Sequence, residues 1–307
     1  MTFGVIVILK VGIIILNYND SNSVMKLVNK IKKYQSINRI LVVDNNSTDE
    51  SYEKLSKIND VKCEVIKTNK NGGYAYGNNY GFKYLIKKFS LDLIFIANPD
   101  VSFENSLIED IKIAFIRNEK YAVLSGIMLD GSGNPNKVSF WNIPSFLEDI
   151  FDCIYLFRAI KRKLKVFKVD KTRKIMDVQV VPGSFFGIKS EVFELVGGFD
   201  ENTFLFYEEN ILASKIMKHG YLEGILTYNS YCHLHSVSIK KSLSVIKTHL
   251  IHLKSKFYYQ SAYNKVNNIN KVILFVFMGY SLIETIILAP LKSICRQLIN
   301  KKNEVMK

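Results

Sequence analysis

The sequence predicts an α/β protein, with a mostly parallel central sheet covered by helices on both faces and a C-terminal helical region after it. Three observations lead there. Short β-rich runs alternate with amphipathic stretches over about the first hundred residues. Polar or glycine-rich clusters follow the apolar runs, and the pattern from Leu243 onward is predominantly helical.

In order, Gly12 to Leu16 reads as a strand, and Val24, Leu27, Val28 and Ile31 share one face of the helix after it. A strand at Ile40 to Val43 leads to a helix opened by the capping-box pattern Ser47-x-x-Glu50. A strand near Glu64 to Ile66, a helix from about Ala75 to Lys88 and the strand Leu93 to Ala97 continue the alternation. A helix through Leu107, Ile108, Ile111 and Phe115 completes it. Periodicity blurs over a variable excursion at about 131–177, which contains Trp141, Pro144 and the basic run Lys161 to Lys165. Strands near Val178 to Val181 and Phe185 to Ile188 then lead to helices from about Glu191 and Glu209. The expected division is one domain over 1–240 and a basic helical extension over 241–307.

With 307 residues and 48% hydrophobic content, the chain can bury a sizeable core, which excludes a disordered protein. Its 42 Lys and Arg against 28 Asp and Glu give a formal charge of +14 and favour an anionic partner. Cys63, Cys153, Cys232 and Cys295 are scattered without a CxxC pair, as expected of reduced thiols. Met1 to Leu9 is apolar but lacks a basic leader and a cleavage site, so it reads as an extra strand or a leader rather than a signal peptide. Val272 to Leu291 approaches the length of a membrane span, interrupted by Glu284 and Pro290. An interfacial helix is preferred over a span because Glu284 is costly at a bilayer centre; a buried helix in a homodimer contact is the alternative.

Five clusters have the residue types of a binding site. Asp44-Asn45-Asn46-Ser47-Thr48-Asp49 ends a strand where a base and ribose hydroxyls can bind, although a turn with a helix cap has the same composition. Asn71 to Asn79 (NGGYAYGNN) lies between a strand and a helix, where glycines let backbone N–H groups approach a diphosphate; ordinary tight turns use them too. Asn98-Pro99-Asp100 offers a carboxylate to a hard cation, or simply ends a strand. Glu208 and Glu209 can supply a general base, or complement a helix dipole. His233 and His235 sit at alternate positions where an imidazole can join a metal shell, though HxH alone matches no zinc signature.

Together, in this order, the clusters resemble the inverting glycosyltransferases of family 2, particularly the rhamnosyltransferase-like branch, over roughly residues 11–260. The matching residues are Ile14 to Asp20 (IILNYND), Leu41 to Asp49, Asn71 to Asn79, Asn98 to Asp100, and Pro182 to Glu209 with Gly197-Gly198-Phe199-Asp200. The resemblance implies a GT-A fold and places Asn17, Asn19, Asp44, Asn46, Asn71, Gly72, Gly73, Asn78, Asn98 and Glu208 along the donor. It further implies Glu209 as the base that deprotonates the acceptor, and Asp100 with His233 as ligands of Mg²⁺ or Mn²⁺. Ser238, five residues after His233, belongs to the same element, with His235 as a weaker competitor. Three residues depart from the pattern: Asn98 replaces an acid, Glu209 replaces the usual Asp, and Ile211 stands where an acid is common.

The implied partners are a dTDP- or UDP-linked sugar donor and a glycan or lipid-diphosphate-linked acceptor used in cell-surface polysaccharide synthesis. The implied location is cytoplasmic, at the inner face of the membrane, where the basic charge meets anionic lipid. The competing readings are a glycan-binding protein without catalysis and a nucleic-acid-binding module, suggested by +14 and by Lys254, Lys256, Phe257, Tyr258 and Tyr259. The nucleic-acid module leaves the acidic and glycine-rich clusters without a use, so no nucleic-acid partner is expected. A dinucleotide oxidoreductase fails because the first strand-to-helix turn, Asn17-Tyr18-Asn19-Asp20, lacks the glycines it needs.

Overall fold

The computed structural model describes residues 8–164, 168–234 and 244–305, with side chains to 288. Two compact units form, one from Met1–Ile143 with Val166–Ile239 and the other from Pro144–Lys165 with Lys240–Lys307.

The larger unit is built on a nine-stranded sheet, of which β3-β2-β1-β4-β8-β6-β9-β5 is the main path and β7 pairs with β9. Its strands are β1 (Val11–Asn17), β2 (Arg39–Asp44), β3 (Cys63–Lys67), β4 (Leu93–Ala97), β5 (Val101–Ser102), β6 (Tyr121–Leu129), β7 (Ile175–Val178), β8 (Phe185–Lys189) and β9 (Leu222–His233). The half made of β3, β2, β1 and β4 is parallel, as the alternating pattern predicts. Beyond it the sheet is mixed, because β8 runs antiparallel to both β4 and β6 while β6 and β9 are parallel.

Both faces of the sheet are buried, which is why its central strands are apolar without polar alternation. Ile13 and Ile15 of β1 and Val42 of β2 pack into one core. Ile14, Leu41 and Val43 pack into the other. Helix α1 (Ser21–Ile31) buries Val24, Leu27, Val28 and Ile31, the spacing of a single helical face. The remaining helices of this unit are α2 (Ser51–Ser56), α3 (Gly73–Lys88), α4 (Asn105–Arg117), α7 (Ser190–Leu195) and α8 (Glu208–Lys218).

One expected start is corrected. Helix α2 begins at Ser51 rather than after a Ser47 cap. The Ser47 hydroxyl is engaged elsewhere, donating to Asp44 Oδ2 at 2.7 Å and accepting from the Asn19 amide at 3.0 Å.

The smaller unit takes α5 (Phe146–Asp152) and α6 (Tyr155–Leu164) from the excursion and adds α9 (Val245–Ala262) and α10 (Asn268–Val305). Ile150, Cys153, Leu253 and Leu274 form its core. Beside them Lys256, wholly buried, reaches Asp152 Oδ2 at 2.8 Å and Asp149 Oδ1 at 3.6 Å. Helix α5 opens with a complete capping box between Ser145 and Glu148. The basic run falls on α6 and the long apolar stretch on α10. Residues 1–7 of the apolar N-terminus, His235, Ser238 and Lys165 lie outside the described residues.

Candidate active site

The clusters gather at the carboxyl ends of the parallel strands, where an open α/β sheet forms its ligand crevice. β1 and β2 end in register, so that Asn17 lies beside Asp44. Asn17 Nδ2 donates to Asp44 Oδ2 at 2.8 Å, Ser47 Oγ donates to the same oxygen, and the Ser47 amide donates to Oδ1 at 2.9 Å. Asn17 and Asp44 are fully buried, and this conformation commits the carboxylate to protein donors. Asn19 exchanges two hydrogen bonds with Thr48 across the same strand ends. Asn19 and Asn46 both have positive φ, at 55° and 59°, a region asparagine enters more readily than most residues.

The glycine-rich loop is fastened to this wall. Asn45 Nδ2 donates to Asn71 Oδ1 at 3.1 Å and to the Gly73 carbonyl at 3.0 Å. Gly72 precedes α3 and has no capping side chain, while the Gly73 amide donates to Asn71 Oδ1 at 3.2 Å and the Tyr74 amide to the Phe204 carbonyl at 3.0 Å. Gly73 has φ +88°, and a Cβ there would lie 2.0 Å from the Phe204 carbonyl oxygen. Only glycine meets both conditions. Asn78 is fully enclosed, with Nδ2 on the Tyr74 carbonyl, and so stands behind the loop.

Asp100 follows β4, and the short β5 pairs with the end of β9, bringing His233 opposite Val101. His233 Nε2 lies 3.2 Å from Asp100 Oδ1 with both side chains largely covered. One carboxylate and one imidazole suit a hard divalent cation whose other positions are taken by phosphate oxygens and water. No group of three or more His, Cys, Asp or Glu that could hold a metal ion gathers among the described residues.

Glu208 and Glu209 open α8, preceded by Phe206 and Tyr207 at φ 73° and 70°. Successive left-handed non-glycine residues are strained and persist only where surrounding structure holds them. Glu209 Oε1 accepts from the Gly183 amide at 3.2 Å. Burial pushes its carboxyl above the usual carboxylate range, although backbone donors pull the other way. Glu208 is raised further, first by burial and then by the charge of Glu209, and its Oε1 has no hydrogen-bond partner among the described residues.

The resemblance takes in Pro182 to Glu209 as one run, but sequence reasoning gave no role to Gly183 and Ser184, which join these parts. Gly183 holds Glu209 through its amide and receives the Tyr74 hydroxyl on its carbonyl at 2.6 Å. A Cβ at Gly183 would lie 2.5 Å from Glu209 Oε1 and 3.0 Å from the Tyr74 oxygen. The Ser184 carbonyl accepts from the Asn98 amide at 2.8 Å, and the Ser184 hydroxyl lies 2.8 Å from the Tyr231 hydroxyl. Trp141 Nε1 donates to Asn210 Oδ1 at 2.7 Å, one residue beyond Glu209. Buried Glu223 accepts from the Val181 amide at 2.9 Å. The glycine and tryptophan were visible as residues, but no spacing rule links Gly183 to a carboxylate 26 positions away or Trp141 to an amide 69 positions away.

The family model "Glycosyl transferase family 2" matches residues 12–196. A low-salt glycan biosynthesis hexosyltransferase, Agl10 of Haloferax volcanii, is 28% identical over 200 residues, 64% of this chain and 58% of that protein. A dTDP-rhamnosyl transferase, RfbF of Shigella flexneri, is 23% identical over 214 residues, 69% of this chain and 65% of that protein. The chain thus spans about three-fifths of the length of these relatives. Among solved structures, a mannosyltransferase of Pyrobaculum calidifontis in complex with GDP-Man and Mn²⁺ superposes with a TM-score of 0.55 at 14% identity, covering 94% of this chain and 80% of its own. TarS 1–349 of S. aureus in complex with UDP-GlcNAc gives 0.53 at 15% identity, covering 88% and 71%. With the family model spanning well over half the chain and the GT-A fold shared with these structures, the protein belongs to glycosyl transferase family 2.

Proposed function

We propose that the protein is a metal-dependent inverting glycosyltransferase that moves a sugar from a nucleoside diphosphate to a hydroxyl of a glycan or lipid-diphosphate-linked glycan at the cytoplasmic face of a membrane. The observation that carries this reading is the Gly183-Ser184 segment. One residue holds the Glu209 carboxylate, and the next holds the backbone that leads to Asp100 and His233.

In this reading Glu209 accepts the proton of the attacking hydroxyl, for which a carboxyl raised by burial is better matched to neutral pH than an exposed one. The Gly183 amide orients it and Glu208, buried beside it, shields that edge from water. Asn19, Asn46, Asn71 and the backbone at Gly72 and Gly73 line the donor, with Asn98 near its diphosphate. Asn17, Asp44 and Asn78 support the wall beneath them. Asp100 and His233 would hold Mg²⁺ or Mn²⁺, whose chemistry is to neutralise charge on the departing diphosphate. The relative acting on a dTDP-linked sugar favours a dTDP- or UDP-linked donor.

The test is a thermal-shift screen of UDP-, dTDP- and GDP-sugars with and without Mn²⁺, on wild type and Asp100→Ala. Stabilisation by one donor that requires the cation and disappears in the variant supports the reading. Absence of any donor response in wild type refutes it.

A further inference from the structure

Helix α6 contributes no buried residue to the protein. Leu156, Phe157, Ile160 and Leu164 fall on one helical stripe and are exposed, Leu156 at 64% and Leu164 at 72%. Phe157 stacks on exposed Phe151 of α5 with centroids 4.7 Å apart, extending the stripe. Lys161, Arg162 and Lys163 crowd the last turn of the same helix.

Helix α10 has a second unpartnered face. Its inner side carries Leu274 in the small core, Ser281 bound to His249 and Arg158, and Glu284 paired with Arg158 at 3.2 Å. Its outer side presents Ile269, Val272, Phe275, Val276, Ile283 and Ile287, each about 60–70% exposed, with no charge among them. Residues 268–288 are long and apolar enough to cross a membrane, yet only 11% of that stretch is buried within the protein.

We propose that these two faces dock the smaller unit onto an anionic phospholipid surface, lying in the headgroup interface without crossing it. Charge selects this occupant. Apart from the buried Lys256, residues 245–288 carry Lys247, Lys254, Lys265 and Lys271 against the single acid Glu284, which is turned inward to Arg158. Exposed apolar stripes flanked by Lys and Arg insert at the boundary between headgroups and acyl chains. A complete crossing by α10 would carry its bonded partner α6, with Arg158 and the basic turn, into hydrocarbon, where such charges are costly. The inference deepens the membrane location proposed above, and its test reads lipid binding instead of transfer, so the two can fail separately.

The experiment is co-sedimentation of the full chain with vesicles of phosphatidylcholine alone and mixed with phosphatidylglycerol. The mutants are Leu156→Ser with Ile160→Ser, Val276→Ser with Ile283→Ser, and Lys161→Glu with Arg162→Glu and Lys163→Glu. Far-UV circular dichroism checks that each is folded. Wild type should sediment with the anionic vesicles, and each serine pair should weaken partitioning by about tenfold or more. The charge reversal should abolish the preference for anionic lipid while leaving oligomeric state unchanged. The proposal is overturned if wild type binds neither vesicle or if the folded mutants bind as wild type does. It is also overturned if light scattering shows a dimer that the serine pairs dissociate while vesicle binding is absent.

Discussion

Glu209 lies one residue into α8, held by an amide from a segment 26 residues earlier. Glu209→Gln retains the shape and the Gly183 contact but cannot take a proton, so kcat should fall about 10²- to 10⁴-fold with donor affinity preserved, as initial rates and calorimetry would show. Because burial raises the Glu209 pKa, the acidic limb of the wild-type rate profile should lie above the usual carboxylate range, with rate rising as the group deprotonates. Gly183→Ala tests orientation: its Cβ would meet Glu209 Oε1 at 2.5 Å, so kcat should fall while the donor-induced thermal shift persists. Glu208, raised like Glu209, is read out in stability. Its folded pKa exceeds the unfolded one, so its contribution is fully present below the unfolded pKa and is lost as pH rises through the folded one. Glu208→Gln should therefore raise Tm at alkaline pH, with the gain shrinking on acidification. The place of the acidic pair was legible from the helical pattern that follows it, and the role proposed for it came from the family resemblance. Gly183 was not, because its role is exercised by a backbone N–H that no side chain announces. Ile211, where an acid was expected by resemblance, is fully buried, so an apolar residue suits its surroundings.

Among elements, the parallel strands and the helices between them follow from periodicity because each buries its apolar face locally. The capping-box reading of Ser47 failed for a tertiary reason: strand register delivers Asn17 and Asp44 to the same place, and the serine bonds them instead. In the excursion α6 was illegible because it buries nothing, whereas α5 carries a Ser145-x-x-Glu148 cap that the sequence reading passed over. At the start of α3, Gly73→Ala combines a left-handed backbone with a collision against Phe204, and should lose at least about 1–3 kcal/mol in urea unfolding. In the smaller unit, Lys256 is wholly buried between Asp149 and Asp152, and Gln260 donates to Asp149 at 2.6 Å. Lys256→Ala leaves buried Asp149 and half-buried Asp152 without their cation and should cost about 3–5 kcal/mol, seen as early loss of helical signal in urea.

At the scale of the whole molecule, composition excluded disorder and the +14 charge called for an anionic partner, without choosing one. A donor that binds only the folded state with its cation should raise Tm, by about 2.7 kcal/mol in stability at a hundredfold excess over Kd. Chelation by EDTA should return wild type to the level of Asp100→Ala if Asp100 and His233 act through the cation. What the sequence determined alone was the alternation of strands and helices over about the first hundred residues, the crevice at the strand ends and the residue types within it, because these depend on local periodicity and turn chemistry; β6 and β9, the longest strands, were not read from it. Tertiary structure alone decided the antiparallel insertion of β8, the buried state of Asn17, Asp44 and Asn78, and the Gly183-Ser184 link between Glu209 and the Asp100 segment. Those features rest on backbone groups and strand neighbours far apart in the chain, whose pairing is set by how the sheet closes rather than by any residue's own preference.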